Sequence, residues 1–135
     1  MIKLKKLIKE SLSNKKLDIK VNDLQEDLLH KYPQLMHLHL SLHHNDAIYI
    51  HIITIKKEFR GRGYGKKIIE EIKDFADKYD LTIYLSPEPE RGYKEKLLKF
   101  YKNHGFVDNK GRKKDYKLSS MFGKTMYRRP INKNV

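Results

Sequence analysis

The sequence predicts an α/β fold: a mixed, strongly twisted central sheet with helices on both faces. Three observations predict it. Ala47–Ile55 is rich in β-branched residues and reads as a strand. It runs into the glycine-rich turn Arg60-Gly61-Arg62-Gly63-Tyr64-Gly65, and behind the turn Ile68, Ile69, Ile72, Phe75, Ala76 and Tyr79 recur at helical spacing over 66–79. A second strand over 81–86 and a second helix over 93–103 repeat the order. Strands alternating with amphipathic helices are the pattern of a layered α/β domain.

The chain begins with Leu4, Leu7, Ile8 and Leu12 on one face of an expected helix over 1–14, with lysines around the rest. The stretch is short and lacks aromatic residues, so docking onto its own domain is expected rather than a membrane surface. Leu17-Asp18-Ile19-Lys20-Val21 alternates and predicts a short first strand. Asn22 or Asp23 can cap a helix carrying Leu24, Leu28 and Tyr32, which Pro33 ends.

The stretch Leu35–His43 alternates strictly. Met36, Leu38, Leu40 and Leu42 fall on one face, and His37, His39, Ser41 and His43 on the other. His44-Asn45-Asp46 is a turn into Ala47–Ile55. A three-residue loop sets the leucines beside Ile48, Ile50 and Ile52. It gathers His37, His39 and His43 with Tyr49 and His51, on the face that also takes Ile53 and Ile55. A slip of one residue would exchange the faces. The histidine face is the expected substrate side.

After the strand over 81–86, Pro87 and Pro89 open a loop over 88–92. Gly105 suits a left-handed helix cap, and Phe106 starts a returning strand. A basic turn over 109–114, strands over 116–118 and 125–128, and a frayed tail over 130–135 complete the reading. No repeat or interdomain linker is visible.

A chain of 135 residues predicts a single domain over its whole length. With no cysteine it has no disulfide, thiolate metal site or cysteine nucleophile. No apolar run reaches the length of a membrane span, and the first residues lack the apolar stretch of a signal peptide. A cytoplasmic protein is expected. The formal net charge of +13 suits steering of an anionic cofactor, and leaves open an acidic protein face or nucleic acid as partner.

The glycine turn carries the chemistry. A helix N-terminus offers unpaired N–H groups and the positive end of a dipole, and glycines let the backbone approach a ligand. Arg60, Arg62 and Lys66 add cationic donors, so the turn reads as a pyrophosphate cradle. A dinucleotide fingerprint requires G-x-G-x-x-G, and the spacing here is G-x-G-x-G. A Walker loop requires glycine at position 60 and Ser or Thr at 67, where Arg60 and Lys67 stand.

The turn matches R/Q-x-x-G-x-G/A, and Leu97-Leu98-Lys99-Phe100-Tyr101-Lys102-Asn103-His104-Gly105-Phe106 looks like an L-Y-x-x-x-G-F helix. In these two motifs, in this order, the chain resembles the GNAT N-acetyltransferase superfamily over 47–107. The resemblance implies acetyl transfer from acetyl-CoA to an amine, with the strands over 47–55 and 81–86 splayed around the cofactor. It implies that the loop Arg60, Gly61, Arg62, Gly63, Tyr64, Gly65 and Lys66 holds the pyrophosphate. The backbone of Ile53 and Ile55 would meet the pantetheine arm, and the Tyr101 hydroxyl would lie near the sulfur as proton donor. Tyr49 and His51 fall where the family often carries a carboxylate base, which this strand lacks. Histidine titrates near neutral pH, so His51 is the candidate base, with Tyr49, water or another group as alternatives. His37, His39 and Tyr49 would line the acceptor groove.

Clustered histidines suit zinc, but no carboxylate or thiolate partner stands at an obvious spacing and the resemblance implies no metal, so none is expected. The acceptor stays open among protein lysine, protein N-terminus and small amine. Two further readings use the charge: an acetyltransferase acting on an RNA-linked amine, and a basic nucleic-acid-binding module that kept the fold.

Overall fold

The computed structural model describes residues 14–88, 92–110 and 125–131. Its elements are α1 (Asn14–Lys31), β1 (Leu35–His43), β2 (Ala47–Ile55), a 3-10 turn (Lys57–Phe59), α2 (Tyr64–Lys78), β3 (Thr82–Leu85), α3 (Lys94–Asn103), β4 (Val107–Asp108) and β5 (Met126–Arg128). The strands form one sheet in the order β1-β2-β3-β5-β4, with β2 and β3 parallel and the other neighbours antiparallel. The mixed sheet of an α/β domain is as the sequence predicts, while the helices expected on both faces lie, among the described residues, on one.

The register sorts residues onto two faces. Ile48, Ile50, Ile83, Leu85 and Met126 join one core cluster with Leu17, Val21 and Leu28 of α1, Ile68, Ile69 and Ile72 of α2, and Tyr101 of α3. Ala47, Tyr49, Tyr84 and Tyr127 form a second cluster on the opposite face. The three described helices therefore cover the first face. The expected helix over 1–14 lies outside the described residues, apart from Asn14, which opens α1.

Residues 17–21 are not a strand. They lie inside α1, and Asn22 and Asp23 are helix interior rather than a cap. The alternation of Leu17, Ile19 and Val21 hid a longer stripe: Leu17, Val21, Leu24 and Leu28 follow helical spacing and turn to the core, while Ile19 is 51% exposed. The helix stops before Pro33, as expected.

The β1–β2 hairpin has the predicted three-residue turn, with His44 and Asn45 at positive φ of 51° and 62°. Leu42 faces Ile48 and Leu40 faces Ile50, as the favoured register requires. The register then shifts: His39 pairs with Ile52 and Leu38 with Ile53, so His51 is the extra residue of a β-bulge. Beyond it the faces exchange. Ile52 is 43% exposed, whereas Ile53 and Ile55 pack against the core cluster, the reverse of the expected assignment. A second shift beside Leu35 turns Met36 out of the leucine face, and Leu35 is buried in its place.

The end of α3 is a Schellman motif. Phe106 N–H bonds Tyr101 O at 3.1 Å, Gly105 N–H bonds Lys102 O at 3.1 Å, and Gly105 has φ 89°. The chain then enters β4. The expected strand over 116–118, most of the basic turn over 109–114 and residues 89–91 lie outside the described residues. Of the tail over 130–135, residues 132–135 lie outside the described residues, and at its start Ile131 N–H donates to Asp77 Oδ1 at 2.9 Å.

Candidate active site

β2 and β3 pair in parallel over four positions, from Ala47↔Thr82 to Ile50↔Leu85. There β3 ends, while β2 continues through the bulge to Ile55. The backbone of residues 51–55 thus has β1 on one side and no strand partner on the other among the described residues. Unpaired backbone N–H and C=O groups at the middle of a sheet are places where an extended ligand can bond. The bulge at His51 sits at this point of parting.

The chain leaves β2 through the 3-10 turn, and the turn is tied back to the strand: Arg60 Nε donates to Ile55 O at 3.0 Å. Phe59 meets Tyr64 edge-on with ring centroids 6.1 Å apart, and Lys67 Nζ lies 5.6 Å from the Tyr64 ring centroid. Gly63 caps α2 from the left-handed region at φ 85°, with no side-chain hydrogen bond at the cap. Gly61 also has positive φ, 76°, and a Cβ at either glycine would meet nothing within 4 Å. The start of α2 is therefore a bare, open helix N-terminus, the geometry that receives phosphate. Arg62 and Lys66 are exposed beside it. Gly65 faces the other way, toward α3: a Cβ there would meet the Phe100 ring at 3.6 Å, an ordinary van der Waals contact.

Tyr101 is 5% exposed on α3, with Phe100 and Phe106 rings at 5.3 and 5.5 Å. Burial pushes its hydroxyl up to about 12, so it keeps its proton across the working pH range. The hydroxyl makes no hydrogen bond to a described residue.

The opposite sheet face carries the histidines. His51 Nε2 lies 2.7 Å from Ser41 Oγ. The His39 ring stacks on His51 at 4.5 Å and 23°, and Tyr49 meets it edge-on at 4.3 Å and 88°. Burial, and then the neighbouring His39, holds His51 below the usual imidazole range, which favours the neutral form. Tyr49 packs on Tyr84 at 4.8 Å, and His43 meets Tyr84 at 5.8 Å. His37, opposite Thr54, is exposed and stands outside this group. Among the described residues, no three His, Asp or Glu side chains converge as a metal site, and no helix is long and apolar enough to cross a membrane.

Sequence reading missed Ser41 as the partner of His51, although alternation had placed it on the histidine face. It also missed Phe100, whose contact with Gly65 depends on how two helices meet.

A family profile described as "Acetyltransferase (GNAT) domain" matches residues 34–108, which takes in β1, β2, the glycine turn, α2, β3 and α3. The chain belongs to the GNAT acetyltransferase family. Solved structures of similar fold include a GNAT-family acetyltransferase from Staphylococcus aureus MU50, with 20% identity over 68% of this chain and 57% of that one, at a TM-score of 0.53. Ard1 from Thermoplasma volcanium is 20% identical over 78% of this chain and 77% of that one, at 0.51. A protein of this fold from Lactobacillus plantarum is 15% identical over 70% of this chain and 59% of that one, at 0.50. These likenesses show the fold, and the chain spans under two thirds of the Staphylococcus and Lactobacillus proteins. Comparison with curated protein sequences returns no match.

Proposed function

We propose that this GNAT chain is an N-acetyltransferase, a single catalytic domain that moves the acetyl group of acetyl-CoA to an amine. One observation carries the reading: β2 outlasts β3 at Ile50↔Leu85, and the chain leading from that opening ends at an uncapped helix N-terminus flanked by Arg62 and Lys66. An extended thioester arm and a pyrophosphate need those two features in that order. Gly61, Arg62, Gly63, Tyr64 and Lys66 would surround the pyrophosphate. Arg60 braces the loop through Ile55 O, and the backbone of Ile53 and Ile55 runs beside the arm. Acetyl-CoA supplies an activated thioester, and the protein supplies position and proton traffic.

The acceptor amine, with an unperturbed pKa near ~10.4 for a lysine, must lose a proton before it attacks. His51 is the base in this reading: exposed, biased toward neutrality and seated where the strands part. The amine nitrogen bonds the carbonyl carbon, the C–S bond breaks, and the leaving sulfur takes a hydrogen bond or proton from the Tyr101 hydroxyl. The net charge of +13 draws in coenzyme A and favours acceptors carried on acidic proteins or nucleic acid over basic ones. Calorimetry with coenzyme A, followed by steady-state assay against lysine peptides, peptide N-termini and small amines, tests the reading. Absence of coenzyme A binding by folded protein would refute it.

A further inference from the structure

We propose that Ser41 is a positioning residue for acetyl transfer: its hydroxyl accepts a hydrogen bond from Nε2 of His51, so Nδ1 is the nitrogen that takes the proton from the acceptor amine. The inference rests on the acetyltransferase reading and on His51 as its base.

Three neighbours fix the His51 ring. The Ser41 hydroxyl, 2.7 Å from Nε2, sets its rotation. The stacked His39 ring sets its plane, and the edge-on Tyr49 ring closes another side. The bulge makes this possible. Because the register passes from Leu40↔Ile50 to His39↔Ile52, the extra residue His51 swings toward β1 instead of occupying a ladder position. A base held in one orientation loses no further freedom when substrate arrives.

The bond also selects a tautomer. A neutral imidazole has one N–H and one lone pair. If Nε2–H donates to Ser41 Oγ, the lone pair stands on Nδ1, which has no partner among the described residues. If the hydroxyl donated to Nε2 instead, Nδ1 would carry the proton and neither nitrogen could serve as base without breaking a bond. When Nδ1 takes the amine proton, the ring becomes a cation and its Nε2–H bond to Ser41 strengthens, because charged donors make stronger hydrogen bonds. The amine N–H breaks, the Nδ1–H forms, and the proton later leaves to solvent from an exposed ring. Among the described residues, the titratable groups against His51 are His39 of β1 and Tyr49 of β2, with Tyr84 of β3 behind Tyr49. No carboxylate faces the ring there to hold its charge, so Ser41 is the main polar support of the charged form.

The test compares wild type, Ser41→Ala and Ser41→Thr by imidazole nitrogen NMR and by pH–rate profiles. Wild type is expected to show Nε2 protonated and Nδ1 bare at neutral pH. Ser41→Ala should mix the tautomers, move the acid limb of kcat/KM to lower pH and cut kcat roughly 10-fold with acetyl-CoA KM unchanged, while Ser41→Thr restores all three. A wild-type ring protonated on Nδ1, or an alanine variant with wild-type tautomer and profile, overturns the proposal. Calorimetry on the same samples separates the two levels: if wild type binds no coenzyme A, the acetyltransferase reading falls and takes the catalytic role of Ser41 with it, whatever the tautomer.

Discussion

Arg128 on β5 grips Asp77 on α2 with both prongs of its guanidinium, Nη1 2.9 Å from Oδ1 and Nη2 3.1 Å from Oδ2, and the side chains are only 3% and 4% exposed. The same carboxylate accepts the N–H of Ile131. Arg128 also runs over Gly105, where a Cβ would lie 3.7 Å from its Nε. One buried pair thus fastens α2, the last strand and the turn after α3. Removing one partner leaves a charge buried without its counter-ion, which is far costlier than never having had the pair. Arg128→Met is expected to lower stability by about 3–5 kcal/mol in urea denaturation. A loss near zero would mean that other contacts carry the charge of Asp77.

The glycine turn can be examined at a single atom. Gly63 has φ 85° and open space where a Cβ would go, so a side chain there meets strain rather than collision. Gly63→Val should cost the fold about 1–2 kcal/mol, the price of a left-handed β-branched residue. It should also weaken acetyl-CoA binding by tenfold or more, since the helix N-terminus is pulled out of shape and screened. Gly63→Asn, which tolerates the left-handed region, should keep most of the affinity. Calorimetry reads both, and equal affinities for Val and wild type in folded protein would remove the loop from the cofactor site.

What was legible in the sequence follows from what is local. The glycine turn, the His44-Asn45-Asp46 hairpin and the Gly105 cap each depend on a few adjacent residues whose backbone preferences leave little choice, and each stands where expected. The errors came from longer-range decisions. Leu17, Ile19 and Val21 fit a strand by alternation, and only the contacts of Leu24 and Leu28 with the same core decide for a helix. The bulge at His51 leaves no mark in an unbroken β-branched run, yet it reverses the facing of Ile52 and Ile53. The Asp77–Arg128 pair joins residues whose meeting depends on the finished sheet. At the candidate site, the loop and Tyr101 could be proposed from motifs, whereas the Ser41 contact required the bulge to be seen.

Tyr84 is fully buried between Tyr49 and Tyr127, and its hydroxyl has no hydrogen-bond partner among the described residues. An unmet buried donor costs roughly 1–3 kcal/mol. Tyr84→Phe is therefore expected to stabilise the fold by about 1 kcal/mol, or roughly 3–6 °C in Tm. A lower Tm would show that an ordered water satisfies the hydroxyl.

Alkaline pH offers a second view of the same residue. Burial pushes both Tyr84 and Tyr101 up to about 12. In the unfolded chain a tyrosine ionises near ~10, so above that pH the unfolded state gains by losing a proton that the folded state retains. Their contribution to stability should be level below pH ~10 and fall between ~10 and ~12, by up to about 2–3 kcal/mol for each tyrosine. Denaturation curves of Tyr84→Phe and Tyr101→Phe should each lose less over that window than wild type. A variant that keeps the full wild-type slope clears its tyrosine of that effect.

Tyr101 carries the chemical prediction. Its ring is walled by Phe100 and Phe106 and needs no hydroxyl to pack there, yet the hydroxyl is kept and makes no bond to a described residue. With its pKa near 12 it cannot be a base at working pH, so the role left to it is donation. A thiolate leaving group gains from a donor in a water-poor site because charge develops on sulfur only as the C–S bond breaks, and the stabilisation is then greater in the transition state than in the ground state. Tyr101→Phe should therefore reduce kcat by about 10²-fold and leave acetyl-CoA affinity close to wild type. The residual activity should rise with a better leaving thiol, since such a thiolate needs less help. Steady-state kinetics with a substrate for which chemistry limits turnover, accompanied by thermal melting, decides the matter. Near-normal turnover in the Phe variant would make Tyr101 a packing residue and leave solvent as the proton source.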